Sequence, residues 1–184
     1  MRVVGGKLGS RPIKAPKSQT TRPTSDRLRE SLFNILAHSY GNPVEGARVL
    51  DVFAGTGALG IEAISRGAAF ALFVDDAIEA RAVIRDNVET LGLGGVTRLF
   101  RRDATKLGPV YPVEAFSLAF FDPPYGKGLA EKSLASAREG GWLLPGALIL
   151  VEETTGAFKA PEGFTEQERR AYDDSELIFL TAPE

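Results

Sequence analysis

The stretch Ala47-Arg-Val-Leu-Asp51-Val-Phe-Ala-Gly55-Thr-Gly57-Ala-Leu-Gly60 decides the fold. Residues 47–53, mostly apolar around Arg48 and Asp51, read as a strand. The glycines that follow permit a tight turn and let a ligand approach the backbone closely. A helical pattern at 57–66 comes next, and its first N–H groups point back at whatever the turn holds. The next strand, 70–75, ends in Asp75, where a carboxylate can accept hydrogen bonds from ribose hydroxyls. Strand, glycine turn, helix, strand and acid together describe a site for an adenosine-containing cofactor.

The alternation continues outward. Strands are expected at 47–53, 70–75, 96–101, 116–121 and 146–152, with helices at 57–66, 77–91 and 127–139. Repeated strand–helix units imply an α/β fold, a parallel sheet with helices on both faces. Residues 164–171 and 176–181 read as two strands joined by Tyr172-Asp173-Asp174-Ser175, an antiparallel end to a sheet of seven strands. Before the sheet, Met1 to Pro16 suggest a small basic hairpin with turns at Gly5-Gly6 and Gly9. Residues 17–23 read as loop, and a helix should start near Thr24 or Ser25 and stop before Gly41-Asn-Pro43. Leu28, Leu32, Ile35 and Leu36 give that helix one apolar face. The division expected is a basic arm over 1–44, packed on a core domain over 45–184.

A second motif ends the strand at 116–121. Phe116-Ser-Leu-Ala-Phe-Phe121 runs into Asp122-Pro123-Pro124-Tyr125. An acid, two stiff prolines and an aromatic ring therefore stand at a strand's C-terminal end, where open α/β sheets bind ligands. The group suits chemistry on the flat, amine-bearing edge of a nucleobase. Gly55-x-Gly57-x-x-Gly60 also fits a dinucleotide fingerprint, which alone is weak. Asp51 would stand close to a pyrophosphate, and hydride transfer has no use for Asp122-Pro-Pro-Tyr125. A carboxylate facing the sulfonium and amino end of S-adenosylmethionine is electrostatically sensible.

Composition excludes several alternatives. The 184 residues include no cysteine and one histidine, His38, so there is no thiolate nucleophile and no Ser-His-Asp triad. The chain has no apolar run long enough to span a bilayer and no apolar signal region near its start. A cytoplasmic, metal-free protein with no membrane partner is the expectation. The net charge of −2 is unevenly spread: residues 1–30 hold eight basic and two acidic side chains, the remainder 14 basic and 22 acidic. A basic arm on an acidic body points to a polyanionic partner. Arg2, Lys7, Arg11, Lys14, Lys17, Arg22 and Arg27 are its candidate contacts to such a polyanion.

The motifs add up to a family likeness. Asp51-x-Phe53-Ala54-Gly55-Thr56-Gly57 resembles motif I of class I S-adenosylmethionine-dependent methyltransferases, and Asp122-Pro-Pro-Tyr125 resembles the motif of enzymes that methylate exocyclic amines. Arg2-Val-Val-Gly-Gly-Lys7, Arg22-Pro-Thr24, Arg27-x-Arg29-Glu30-x-x-Phe33-Asn34, Gly57-Ala-Leu-Gly-Ile-Glu-Ala63 and Ser65-Arg-Gly67 are similar to the bacterial 16S ribosomal RNA (guanine(966)-N(2))-methyltransferase family. The likeness covers nearly the whole chain, in order. It implies a Rossmann-like methyltransferase fold and transfer of a methyl group from S-adenosylmethionine to N2 of a guanine in 16S ribosomal RNA, leaving S-adenosylhomocysteine. It also implies an assembled or assembling 30S subunit as partner and a monomeric enzyme. The expected cofactor contacts are Asp51, Phe53, Ala54, Gly55, Thr56, Gly57, Asp75, Asp103 and Ala104; the expected catalytic group is Asp122, Pro123, Pro124 and Tyr125.

Three places depart from the family pattern: the turn Gly6-Lys-Leu-Gly-Ser-Arg11, Asp75 where glutamate is usual, and Tyr172-Asp173 where tyrosine-glycine is usual. Glu152-Glu153 ends a strand with no role assigned. The alternatives are methylation of another amine (adenine N6, cytosine N4, protein glutamine) or a non-catalytic nucleotide- or RNA-binding module.

Overall fold

The computed structural model describes residues 1–16 and 25–184. Lys17, Arg22 and Thr24 lie outside the described residues. Seven strands form one sheet: β1 (Arg48–Val52), β2 (Phe70–Val74), β3 (Thr97–Phe100), β4 (Phe116–Phe121), β5 (Leu143–Thr154), β6 (Thr165–Tyr172) and β7 (Ser175–Thr181). Their order is β3-β2-β1-β4-β5-β7-β6. The first five are parallel, and β7 runs antiparallel to both β5 and β6. Four helices accompany them: α1 (Asp26–Ser39), α2 (Ala58–Ser65), α3 (Ile78–Thr90) and α4 (Leu129–Glu139).

Side-chain alternation divides the core between the two faces of the sheet. Val49, Phe73, Leu118, Phe120 and Leu150 pack with residues of α1, α2 and α3, among them Leu32, Ile61 and Ile84. Leu50, Leu72, Phe116, Phe121 and Val151 pack on the other face with Leu134 of α4 and with Trp142. Strands buried on both faces read as continuous apolar runs, which is why they were legible in the sequence.

The chain steps outward from β1 to β2 and β3, then returns to the other side of β1 as β4. The strand order reverses between β1 and β4, and the crevice beyond the strands at such a reversal is the ligand position of open α/β sheets. Register sharpens this. Phe100, Val74, Val52, Phe121 and Val151 are successive partners across five strands. One step beyond this row, Asp75, Phe53 and Asp122 leave the sheet side by side, next to Glu152, which stays within β5.

Local signals explain the element ends. Ser25 caps α1, its hydroxyl accepting from Leu28 N at 3.1 Å. Helix α4 begins at Leu129 and not at 127, because Gly126 and Gly128 hold φ of +74° and +67° and break the helix before it. The expected N-terminal hairpin is reduced to one antiparallel bridge, Arg2 to Pro12, around a 3-10 turn at Gly6–Leu8. The ladder stops there because Arg11 N donates within the turn to Leu8 O at 3.1 Å and Lys14 N donates to Asn87 Oδ1 at 2.8 Å.

The N-terminal segment packs onto the face that carries α1, α2 and α3. Val3 and Ile13 are buried in the same cluster as Leu32 and Ile61. Beneath them Glu62, with no exposed surface, accepts from Val4 N and Gly5 N, each at 2.9 Å. It also pairs with Arg66 at 2.8 Å and with the fully buried Arg29 at 3.5 Å. A buried carboxylate is tolerable only with such partners. A Cβ on Gly6 would lie 2.0 Å from the Ser65 carbonyl oxygen, so only glycine fits the docked segment there.

Candidate active site

A cleft of about 470 Å³ opens at the C-terminal ends of β1, β2 and β4. Its walls bring together nine of the expected site residues: Phe53, Gly55, Asp75, Asp103, Ala104, Asp122, Pro123, Pro124 and Tyr125. The other four, Asp51, Ala54, Thr56 and Gly57, are buried in or beneath the turn and do not line it.

The turn is built from the backbone outward. Ala54 N donates to Val74 O at 3.1 Å, and Gly57 N to Ala54 O at 2.8 Å. Gly55 and Gly57 hold φ of +61° and +80°, conformations that side chains rarely adopt. Phe53, at φ +59°, holds one without being glycine, at a cost of roughly 1–3 kcal/mol. Gly55 N donates to Asp75 Oδ2 at 3.0 Å, and Ala77 N donates to Oδ1 at 3.0 Å. Asp75 thus ties the turn to the end of β2, and a carboxylate still has lone pairs left to accept ribose hydroxyls.

Asp51 lies under the turn, 1% exposed, with Oδ2 accepting from Gly60 N at 3.0 Å. A Cβ on Gly60 would meet the Phe73 ring at 2.5 Å, so glycine lets α2 come close enough for that bond. Burial pushes the Asp51 carboxyl up to about 8; the Gly60 N–H opposes the rise and the Asp75 charge adds to it. Asp103 Oδ1 accepts from Thr105 N at 2.8 Å and from its hydroxyl at 2.7 Å. Those two bonds hold the Asp103 carboxyl below the usual range. Asp103 thus caps the short turn at Ala104–Lys106 while lining the cleft.

Across the cleft, Asp122 follows β4 directly, Pro123 is buried, Pro124 is exposed and Tyr125 is half-buried. The Tyr125 hydroxyl donates to Glu152 Oε1 at 2.8 Å. Burial first, and then the Glu152 charge, push that hydroxyl's pKa up. Gly126 N donates to Glu153 Oε1 at 2.9 Å, an oxygen that also accepts from Thr154 N at 2.7 Å. Glu152 and Glu153 therefore fix the loop that carries Tyr125. Their signal in the sequence was an acidic pair closing the apolar run Ala147-Leu-Ile-Leu-Val151. Asn87, which donates to Thr56 O at 2.9 Å, gave no signal.

Among the described residues, Asp75, Asp76, Asp103 and Asp122 line the cleft against a single guanidinium, that of Arg102. Such walls favour a cationic ligand and oppose a pyrophosphate. The glycine turn, the carboxylate at Asp75 and this charge fit S-adenosylmethionine. Of the expected RNA contacts, Arg2, Lys7, Arg11, Lys14 and Arg27 are exposed. Arg11 donates to Thr90 O at 3.3 Å, and Lys14 pairs with Asp86 at 3.1 Å.

The family described as conserved hypothetical protein 95 matches residues 1–181. The chain belongs to that family. It is 38% identical over 153 residues to ribosomal RNA small subunit methyltransferase D of Escherichia coli, covering 83% of this chain and 74% of that one. The Haemophilus influenzae protein of the same name is 33% identical over 170 residues, covering 90% and 85%. Among solved structures, an Escherichia coli methyltransferase superposes with a TM-score of 0.84 at 31% identity, over 100% of this chain and 98% of that one. An RNA methyltransferase of Salinibacter ruber, solved with S-adenosylhomocysteine, shares the fold at a TM-score of 0.65 and 14% identity, over 89% and 95% of the chains. Within the conserved hypothetical protein 95 family, this chain has the seven-stranded sheet and helices of a methyltransferase.

Proposed function

We propose that this member of the family methylates the exocyclic N2 amine of a guanine in 16S ribosomal RNA, with S-adenosylmethionine as donor. The observation that carries the reading is the convergence of Asp122 and Tyr125 with Gly55, Asp75 and Asp103 on one acidic cleft. The named relatives are small-subunit ribosomal RNA methyltransferases, which supports ribosomal RNA as substrate. S-adenosylmethionine, when bound, supplies a methyl group on a positively charged sulfur. Asp75 would hold its ribose, Asp103 and Ala104 its adenine, and Asp51 with the glycine turn its charged end.

The residues of the chain supply the rest. Guanine N2 is a weak nucleophile because its lone pair is delocalised into the ring. An acceptor aimed at its N–H groups localises that pair, and Asp122 is such an acceptor. Losing one preorganised polar contact of this kind costs about 2.7–4 kcal/mol. Pro123 and Pro124 stiffen the loop and bring no competing N–H donors. Tyr125 offers a stacking face worth about 1–3 kcal/mol per base. Nitrogen gains the methyl and loses a proton that has become acidic, so no strong general base is needed. The guanine must be unstacked to enter, at a few kcal/mol unless it already sits in a loop. The basic arm would then hold the surrounding phosphates, within an assembled or assembling 30S subunit.

The test is methylation with labelled donor of small-subunit particles, free 16S RNA and DNA, followed by nucleoside analysis. N2-methylguanine in ribosomal RNA is expected, and N6-methyladenine or N4-methylcytosine would overturn the base assignment. Asp122→Ala should lower kcat by about 10²–10³ with S-adenosylmethionine affinity largely kept; full turnover in that variant would remove Asp122 from its role.

A further inference from the structure

Asn87 is 4% exposed and sits on α3, outside the cleft walls. Its side chain is bonded on two sides. Toward the N-terminal segment, Oδ1 accepts from Lys14 N at 2.8 Å and Nδ2 donates to Lys14 O at 3.2 Å. Toward the glycine turn, the same Nδ2 donates to Thr56 O at 2.9 Å. One amide thus replaces the hydrogen bonds of a β-pair for Lys14 and at the same time holds the carbonyl between Gly55 and Gly57. Lys14 belongs to the basic arm, and Thr56 to the turn that faces the donor site.

We propose that Asn87 is a positioning residue that registers the RNA-gripping arm to the cofactor turn, so that donor binding and arm docking favour each other. This rests on the methyltransferase reading above. A buried amide bonded to two elements resists displacement of either one, because moving one leaves polar atoms unpaired. A ligand that holds the turn in the geometry seen here therefore also holds Nδ2, and through it the two bonds to Lys14. Linkage then requires the converse: whatever fixes the arm tightens donor binding by the same factor. The signal is a coupling between two places and not a contact with either ligand.

The experiment uses S-adenosylhomocysteine as the probe and hydrogen exchange at the Lys14 amide as the readout. In the wild-type chain, saturating S-adenosylhomocysteine should slow exchange of that amide about 5- to 10-fold, the lower end of ordinary couplings. Asn87→Leu, which keeps the volume and removes all three bonds, should abolish this response and weaken S-adenosylhomocysteine binding by a similar factor. Tight binding with unchanged Lys14 exchange in the wild-type chain would overturn the proposal, whether or not the variant folds. A failure of S-adenosylhomocysteine to bind at all would instead overturn the methyltransferase reading, and this inference with it.

Discussion

Burial sets the protonation of Asp51, and with it a pH dependence. Its carboxyl is pushed up to about 8 in the folded chain, chiefly by desolvation, against about 3.9 for an unperturbed aspartate. Across that window the folded state holds a proton that the unfolded state has lost. The contribution of Asp51 to stability is therefore fully present below about pH 4 and is lost as pH rises from about 4 to about 8. Asp51→Asn should remove this slope, since an amide oxygen can still accept from Gly60 N at the observed 3.0 Å. Urea melts between pH 5 and pH 9 check it, and a variant with the wild-type slope would assign the dependence elsewhere. The same substitution should weaken S-adenosylmethionine binding, because a cationic ligand favours loss of the Asp51 proton and an amide cannot supply that negative charge. At this scale the position of Asp51 just before a glycine turn was legible in the sequence, but its burial beneath Gly60 was not.

The elements differ in how they hold the site. Strand β4 ends in Asp122, but the loop beyond it is shaped by β5, through Glu152 on Tyr125 and Glu153 on Gly126. Glu152→Ala should lower turnover about ten- to a hundredfold, the cost of about 1–3 kcal/mol for a buried hydrogen bond left unmade. Cofactor affinity should stay near the wild-type value, and Glu152→Gln should restore most of the loss, since its carbonyl oxygen can accept from the tyrosine. Steady-state kinetics on ribosomal RNA with a parallel cofactor titration check this. Equal losses in the alanine and glutamine variants would show that charge, not the hydrogen bond, matters. The acidic pair was visible in the sequence, yet its target was not, because β4 and β5 are separated by the whole of α4. The ends of α3 followed its amphipathic periodicity closely, whereas α2 is buried on every side and α4 starts only after Gly128. The hairpin at the start is cut to one bridge, because Arg11 N bonds within the turn and Lys14 N bonds to Asn87.

For the molecule as a whole, the basic segment is held mainly by its backbone. Val4, Gly5, Leu8 and Lys14 donate their backbone N–H groups to Glu62, Ser65 and Asn87. The core thus grips the arm while Arg2, Lys7, Arg11 and Lys14 keep their side chains outward. Arg29 is the exception, buried against Glu62, so not every positive charge counted in the sequence is available to RNA. Replacing Lys7, Arg11 and Lys14 by glutamine should weaken RNA binding and make the slope of log K against log salt shallower by about 2–3. Filter binding over a range of salt measures it; an unchanged slope would leave these side chains without a phosphate contact. What the sequence by itself determined is the set of elements, the two motifs and the chemistry they suit. Those depend on hydrophobic period, glycine conformations and side-chain type, which are local properties. What only the tertiary structure decided is which ends of strands stand together. The row from Phe100 through Val74, Val52 and Phe121 to Val151 is a matter of register between strands distant in the chain. A shift of one residue in that register would turn Asp122 or Asp75 to the opposite face of the sheet, because side chains alternate with period two. Register is fixed by packing the two halves of the core simultaneously, so the site becomes a single cleft only when the whole sheet has formed.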